Sequence, residues 1–278
     1  MALDIGRFNQ LKVVKSSDYG VYLDAMDGDQ ILLPNRDVPE GLEIGDCIDV
    51  FVYFDSDDRL IATTTTPKVQ VGQCALLKVI DTNRVGAFLD WGLAKDLLVP
   101  FSEQHQRMQV GRAYVVYVFH DHLTDRIVAS SKLRRHLDEQ SPWLKPQQAV
   151  DLMVYDKTDL GYKAVIDNQY LGLIFNADAF RSLEIGERLP GFIKAIRPDG
   201  KIDLIISQHS AEGDNQLENQ ILRHLNQRGG KSQITDKSPP ETIYREFKVS
   251  KKKYKNALGA LYKKRQILIT ADTISLVK

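Results

Sequence analysis

Short runs of apolar residues, separated by polar turns, fill the first three quarters of the chain. Five such runs follow one another between residues 74 and 130, and the turns between them are rich in Gly, Asp and Asn. Runs of this length that contain Val, Ile, Phe and Tyr predict β-strands. Five short strands favour a small closed barrel, because closure removes the exposed edges of the sheet. This part of the chain is therefore expected to be mainly β.

The same arrangement of turn residues occurs three times. An offset of 66 residues relates the first unit to the second, and an offset of 75 residues relates the second to the third. The related positions are Gly6, Gly20, Pro34 and Gly45, then Gly72, Gly86, Pro100 and Gly111, and finally Gly161, Phe175 and Gly186. Constant offsets across whole units predict three copies of one fold. We expect barrels at residues 1–66, at 67–146 with a trailing linker, and at 147–208, the third being divergent.

Helical periodicity replaces the strand pattern after residue 208. A polar linker at 208–215 precedes a helix, and Gly229-Gly230 is expected to end that helix. The apolar face of the helix consists of Leu217, Ile221 and Leu225. Their spacing of four residues places them on one side, as in a helix that packs against a core.

Two further helices and a hairpin are predicted after this point. The cap sequence Ser238-Pro239-Pro240-Glu241 starts one helix, and Ser250 caps the next. The last helix has one apolar face, which consists of Tyr254, Ala257, Leu258 and Leu261. Apolar runs at 267–269 and 274–276 flank a turn and predict a two-stranded wing. Three helices and a wing predict an α+β winged-helix domain at 209–278.

The second unit resembles an S1 domain. The matching segments are Val85-Gly86-Ala87-Phe88-Leu89, Leu97 to Glu103, Val110-Gly111 and Arg126-Ile127-Val128-Ala129-Ser130. Three such units followed by a winged helix are similar to the conserved virulence factor B family, also called YitL-like. The C-terminal stretches that support this resemblance are Ser238 to Tyr244 and Ser250 to Tyr262. The resemblance implies S1-type OB barrels and an RNA-binding regulator in bacteria, with no established catalytic chemistry.

Charge is distributed unevenly, although the formal net charge of the chain is zero. The units carry −8 at 1–66, +3 at 67–146, −2 at 147–208 and +7 at 209–278. Because neutralisation of phosphates supplies most non-specific affinity for nucleic acid, the second barrel and the winged helix are the better candidates for contact with it. The acidic first barrel is expected to repel a phosphate backbone and to suit a basic partner, such as a ribosomal protein.

OB barrels bind single strands by stacking bases on aromatic rings within a basic groove, and each stacked base contributes about 1–3 kcal/mol. Position in the S1 pattern predicts such contacts on all three barrels. The candidate RNA-binding residues are Tyr19, Tyr22 and Arg59 in the first barrel, Phe88 and Arg126 in the second, and Phe175 and Lys201 in the third. Packing inside the barrel is the alternative for each ring. Tyr19 and Tyr22 stand three apart, so simple alternation leaves at least one of them exposed.

A basic run in the last helix is the other candidate RNA-binding surface. Between residues 243 and 265, nine basic residues stand against a single acid. The residues of this run that we expect to contact RNA are Lys251, Lys252, Lys253, Lys255, Lys263, Lys264 and Arg265. In a recognition helix, basic side chains and the helix dipole both favour phosphate. A solvated helix face is the alternative interpretation.

The sequence contains no combination of residues that indicates catalysis, a cofactor or a metal. The histidines lack metal-ligand spacing, and a phosphate-binding glycine loop is absent. Cys47 and Cys74 are too few for a disulfide framework, so we expect two buried free thiols in a cytoplasmic protein. No run of about 18 apolar residues predicts a membrane span.

Two classes of function remain open at this point. The leading hypothesis is a single-stranded RNA binder that acts in post-transcriptional or translational control. The alternative is a DNA-binding transcription regulator that reads duplex DNA through the last helix, with the barrels as protein-interaction modules. Competition between duplex DNA and single-stranded RNA discriminates between them.

Overall fold

The computed structural model describes residues 3–25, 28–179, 181–206, 211–247, 249, 251–264, 266–270 and 272–277, and of 211–216, 252 and 253 it describes only the backbone. The chain divides into two compact units, Met1–Ile206 and Ser207–Lys278.

Three closed five-stranded barrels make up the first unit, which confirms the fold that the repeats predict. The strands of the first barrel are β1 (Phe8–Ser17), β2 (Gly20–Asp24), β3 (Gln30–Pro34), β4 (Cys47–Phe54) and β5 (Leu60–Thr63). Those of the second are β6 (Cys74–Thr82), β7 (Gly86–Asp90), β8 (Leu97–Pro100), β9 (Ala113–Asp121) and β10 (Arg126–Ser130). Those of the third are β11 (Ala149–Thr158), β12 (Gly161–Ile166), β13 (Tyr170–Phe175), β14 (Arg188–Ile196) and β15 (Ile202–Ile206), with a short helix α1 (Asn176–Ala179) after β13.

All three barrels have the same strand order. Within each barrel the first strand pairs with the second and fourth, and the fifth strand lies between the third and fourth. The pairing of the third strand with the fifth is parallel, and the other pairings are antiparallel. This five-stranded closed topology is that of an OB barrel.

The third barrel keeps the backbone of its relatives where its sequence departs from them. Gly6 and Gly72 have φ angles of +78° and +86° and donate their N–H groups to the fourth strands of their barrels at 2.8 Å. Gln147 stands at the matching position of the third barrel, with φ +68°, and donates to Ile193 at 2.7 Å. A residue with a Cβ rarely adopts this conformation, so the surrounding barrel must impose it here.

Glycine is required where the second strand of each barrel begins. The three residues are Gly20, Gly86 and Gly161. A Cβ at any of them would lie 2.0–2.3 Å from a carbonyl oxygen of the third strand. Because that is far inside van der Waals contact, the second and third strands can pair this closely only without a side chain here.

Apolar side chains join the barrels into one unit. Phe51 and Tyr53 on β4 pack against Trp91 of the second barrel, with ring centroids 5.8 and 6.3 Å apart. The second and third barrels share a further buried cluster, which includes Leu133 and Met153. Barrel contacts of this kind bury rings that a single small barrel would expose to water.

The two cysteines differ in environment. Cys74 is buried, as expected, and burial raises the pKa of its thiol to about 12. The expectation for Cys47 is wrong, because Cys47 is exposed. It is the first residue of β4, where the core-facing alternation of the strand has not yet begun.

The second unit has the helices and wing that the sequence predicts. Its elements are α2 (Ala211–Gln227), β16 (Lys231–Ser232), α3 (Pro240–Phe247), α4 (Lys251–Lys263), β17 (Ile267–Ile269) and β18 (Ile274–Leu276). The three strands form one sheet in the order β16-β18-β17. The two-residue strand β16 was not predicted, since two residues give no readable period. Ser250, the predicted cap, lies outside the described residues.

The linker predicted at 208–215 is wrong in its second half. Helix α2 begins at Ala211, because a helix can extend beyond its apolar face through polar residues that suit water. The predicted helix end is confirmed: Gly229 and Gly230 have positive φ angles, and Gly230 donates its N–H to the carbonyl of Leu225 at 2.8 Å. The predicted apolar faces are buried, and they consist of Leu217, Ile221, Leu225, Tyr254, Ala257, Leu258 and Leu261.

Candidate nucleic-acid interface

The first barrel presents an accessible aromatic pair. Tyr19 is 77% exposed in the turn between β1 and β2, and Tyr22 on β2 is half-buried with Lys15 Nζ 5.6 Å from its ring centroid. Arg59 is not free, since it forms ion pairs with Asp55 at 3.1 Å and Asp57 at 2.6 Å. The first barrel therefore offers rings for stacking, while its predicted cation is already compensated.

In the second barrel the structure brings the two predicted residues together. Phe88 and Arg126 line one cavity of about 390 Å³ on the outward face of β7, β8 and β10. Strand alternation produces this face, because Ala87 and Leu89 point into the core and leave the half-buried ring of Phe88 outside. An aromatic wall beside a guanidinium is the arrangement by which an OB barrel holds a base and its phosphate.

A carboxylate from the first barrel occupies the cations of this cavity. Asp58, in the turn between β4 and β5, accepts from Arg126 Nη2 at 2.5 Å and from Lys95 Nζ at 2.7 Å. Lys95 also donates to the backbone carbonyl of Asp55 at 2.6 Å. The hydrogen bonds from Lys95 and Arg126 lower the pKa of Asp58. The positive charge of the second barrel is therefore largely offset where the sequence expected it to be available.

The third barrel has an equivalent cavity of about 400 Å³. Its wall includes Leu160, Lys163, Leu173 and Lys201, which lie 75 residues after Val85, Phe88, Leu98 and Arg126 of the second cavity. The aromatic wall of the second barrel is thus a lysine in the third. Lys201 lies 3.5 Å from Asp199, so it too has a carboxylate partner.

Phe175, the predicted ring of the third barrel, is half-buried at the end of β13. Among the described residues that form the cavity wall with Lys201, Phe175 is absent. Arg197 lies between the two, with its Cζ atom 5.2 Å from the Phe175 ring centroid and its Nε 2.8 Å from Asp203. The sequence did not single out Arg197, because only the bend of β14 towards β15 brings it to this face.

The predicted basic run of the winged helix is only partly available. Lys255 and Lys263 are exposed on α4, and Lys251 Nζ donates to the carbonyl of Lys237 at 3.3 Å. Lys264 forms an ion pair with the buried Glu218 at 2.5 Å. The side chains of Lys252 and Lys253, and all of Arg265, lie outside the described residues.

A second basic surface in this domain escaped the sequence analysis. Arg228, Lys231 and Arg245 surround a depression of about 590 Å³, and Glu246 is the one acid among its described lining residues. These cations come from the end of α2, from β16 and from α3, so no run along the chain reveals them. Their separation in sequence and convergence in space suit phosphate groups.

His224, Ser232 and Glu246 form a buried hydrogen-bonded row beside this depression. His224 Nδ1 lies 3.0 Å from Glu246 Oε1, and Nε2 lies 3.1 Å from Ser232 Oγ. Burial is the main cause that lowers the pKa of His224. The order resembles that of a hydrolytic triad, but Ser232 is 5% exposed and its Oγ already accepts the N–H of Ile234 at 3.2 Å. The row fastens α2 and α3 to β16.

Two other kinds of site were searched for in the described part of the chain. It contains no group of three or more His, Cys, Asp and Glu side chains that could hold a metal ion. None of its helices is long and apolar enough to cross a membrane.

Comparison with known proteins identifies the domains. A model of the S1 domain matches residues 5–65 and 71–132, and a model of the CvfB-like winged helix domain matches residues 219–276. S1-type OB barrels and winged helices are domains of nucleic-acid-binding type. The third barrel lies outside these matches, in keeping with its divergence.

Full-length relatives show the same domain content. The protein YitL of Bacillus subtilis is 27% identical over 92% of this chain and 88% of its own. Conserved virulence factor B of Staphylococcus epidermidis is 25% identical over 100% of this chain and 97% of its own. A crystal structure of a multidomain protein with nucleic acid binding domains from Streptococcus pneumoniae aligns over 98% of both chains at 22% identity, with a TM-score of 0.42, which is too low to support an argument.

Proposed function

Since the chain belongs to the conserved virulence factor B family, we propose that it binds single-stranded RNA and acts as a regulator rather than as an enzyme. The proposal includes a cytoplasmic role in post-transcriptional or translational control. It also assigns four functional units, namely three barrels at 1–66, 67–146 and 147–208 and the winged helix at 209–278. Bases would stack on the barrels, and the C-terminal domain would neutralise phosphates.

The observation that carries this proposal is the shared cavity of Phe88 and Arg126. A half-buried ring on the outward face of a barrel contributes little to the core, yet it provides a flat apolar surface for one base. Bases in single strands are free to stack on such rings, whereas those of a duplex are not. The cavity therefore supports a single strand over a duplex as the ligand of the barrels.

Replacement of Phe88 by Ala tests the proposal. Removal of one stacked base is expected to weaken binding of a short unstructured RNA by about 1–3 kcal/mol, measured by fluorescence anisotropy. Leu123→Ala is the matched control, because it removes a side chain that is 97% exposed from a turn of the same barrel. Unchanged affinity in Phe88→Ala, or the absence of salt-sensitive RNA binding in the parent protein, contradicts the proposal. A large fall in melting temperature assigns Phe88 to the core instead.

Duplex DNA is the second candidate ligand, and the exposed Lys255 and Lys263 on α4 favour it. In winged-helix and related proteins this helix enters the major groove. Competition of unlabelled duplex DNA and single-stranded RNA for the labelled RNA separates the two functions. Displacement by duplex DNA at lower concentration than by RNA would overturn the assignment to RNA.

The acidic first barrel is also proposed to dock a basic protein, such as one of the ribosome. Its charge of −8 supports this, because complementary charge steers association. Sedimentation of the full chain with ribosomes at low and high salt tests it. Sedimentation that does not depend on salt would count against a charge-driven contact.

A further inference from the structure

We infer that the cavity between the first two barrels receives one base of the bound RNA, and that Asp96 makes this position selective for guanine. The inference rests on the proposed function and deepens it. It concerns which base the second barrel accepts, a property that neither the domain matches nor the named relatives specify.

Both barrels build the cavity. Tyr53 and Phe54 of β4 form one side, and Phe88 and Trp91 of the second barrel form another. Tyr53 and Trp91 are buried and fixed against each other, so the walls are rigid. The volume of about 390 Å³ lies within the range of about 300–1,000 Å³ that is usual for ligand sites. A pocket with aromatic walls of this size suits a single unstacked base.

Asp96 projects from the same face as the stacking ring. Leu97 pairs with Leu89 across β8 and β7, and both point into the core. By alternation Asp96, which directly precedes β8, lies on the outward side with Phe88. Asp96 lines the cavity and is half-buried there. A base stacked on Phe88 would therefore present its edge to a wall that contains this carboxylate.

Asp96 is the cavity's available acceptor. The other carboxylate of the described lining residues, Asp58, is engaged by Lys95 and Arg126. Within the described part of the chain, Asp96 has no hydrogen-bond or ion-pair partner. Burial, together with the charges of Asp90 and Asp81, raises its pKa. A ligand that donates N–H groups to Asp96 would offset this cost.

Guanine matches a single carboxylate better than the other bases do. Its Watson–Crick edge carries two neighbouring donors, N1–H and the N2 amino group, which can bond to both carboxylate oxygens at once. In adenine and cytosine a ring-nitrogen lone pair stands beside the amino group, and in uracil carbonyl oxygens flank the single N–H. Each of these acceptors would face the second oxygen of Asp96 and repel it.

The other barrels lack this feature. The positions equivalent to Asp96 are Gln30 in the first barrel and Leu171, which is buried, in the third. Neither can accept two N–H bonds as a carboxylate does. The selectivity is therefore expected from the second barrel alone, and a change at Asp96 should remove it from the full chain.

The test compares oligouridylates that carry a single central guanosine, inosine, adenosine or uridine, using the full chain and fluorescence anisotropy at one salt concentration. The parent protein is expected to bind the guanosine oligomer roughly 5- to 100-fold more tightly than the uridine oligomer, the range for a bidentate base contact. Inosine lacks the N2 amino group and should lie between the two.

Asp96→Asn should bring the guanosine-to-uridine ratio close to one. Asp81→Asn is the matched control, because it removes one exposed carboxylate from the same barrel but does not line the cavity. It should change affinity for all four oligomers alike and leave the ratio as it is.

Three outcomes overturn the inference: equal binding of guanosine and uridine oligomers by the parent, equal binding of guanosine and inosine, or an unchanged ratio in Asp96→Asn. The first two use only the parent protein, so they hold even if the variant does not fold. RNA binding without base preference leaves the proposed function standing and refutes only the role of Asp96. Absence of binding to all four oligomers refutes both.

Discussion

Replacement of Asp58 by Asn should expose the phosphate-binding capacity that the first barrel suppresses. Asp58 accepts from Lys95 and Arg126, two cations of the second barrel, at 2.7 and 2.5 Å. Asn has the same shape and also tolerates the φ angle of +57° that this turn position requires. The variant therefore removes the charge and keeps the backbone. Because the three side chains are between 31% and 51% exposed, the loss of stability is expected to be small.

The size of the effect follows from counterion release. Each cation that reaches a phosphate of a single strand adds about 0.7 to the slope of log affinity against log salt. A fourfold change in salt then changes affinity by a further factor of about 2.6 for one contact and about 7 for two. Since Lys95 keeps its bond to the carbonyl of Asp55, one contact is the lower expectation and two the upper.

A titration of labelled oligouridylate between about 50 and 200 mM KCl measures this slope. Asp58→Asn should bind more tightly at low salt and show the steeper slope. Asp49→Asn is the control, because it removes the same charge from an exposed position on β4 of the same barrel. A slope equal to that of the parent refutes the masking of Lys95 and Arg126, and an equal gain in Asp49→Asn attributes the effect to net charge alone.

Two predictions concern the C-terminal domain. Lys255→Gln with Lys263→Gln should leave the melting temperature unchanged, since both side chains are exposed and Lys and Gln have similar helix propensity, while the salt slope falls by about 0.7–0.9 for each lost phosphate contact; an unchanged slope would make these lysines a solvated helix face. Burial, aided by Arg228 and opposed by Glu246, lowers the pKa of His224, so the unfolded chain takes up this proton first as pH falls. Stability of the domain is therefore complete above about pH 6.5 and decreases below it, as hydrogen exchange of α2 amides should show at pH 7.5 and 5.5; His224→Gln should remove that difference, and its persistence would assign the effect to other groups.

The architecture could be predicted because its signals are local. The glycines of the repeats mark backbone positions that the fold requires, as the close approach at Gly20 and Gly86 demonstrates. Helix ends likewise depend on a few neighbouring residues, as at Gly229-Gly230. Local requirements of this kind survive in a single sequence without any knowledge of tertiary contacts.

The partners of the candidate cations could not be predicted in the same way. Arg126 and Asp58 are 68 residues apart in the chain and meet only because two barrels pack together. The basic depression of Arg228, Lys231 and Arg245 likewise joins three elements. Charge counted by unit gives the first barrel −8 and the second +3, but it does not reveal that acids of one compensate cations of the other.

The choice of Phe175 shows a different limit. It was matched to Pro100 through the turn that follows the third strand, whereas the cavity wall depends on which side of a strand a residue faces. The outward position equivalent to Phe88 is Lys163, which lines the third cavity. Strand facing follows a period of two, so a match made at a turn does not determine it.

The pairing of barrel cations with carboxylates divides the work of binding. Arg59, Arg126 and Lys201 each have a carboxylate partner, so an RNA phosphate must displace an existing ion pair and gains little net free energy at the barrels. Stacking does not meet this competition, because the rings of Tyr19 and Phe88 carry no charge to compensate. Exposed cations such as Lys255 and Lys263 are concentrated in the C-terminal domain instead. Base identity should therefore be read on the barrels with little dependence on salt, while most of the salt dependence of the full chain should come from the winged helix.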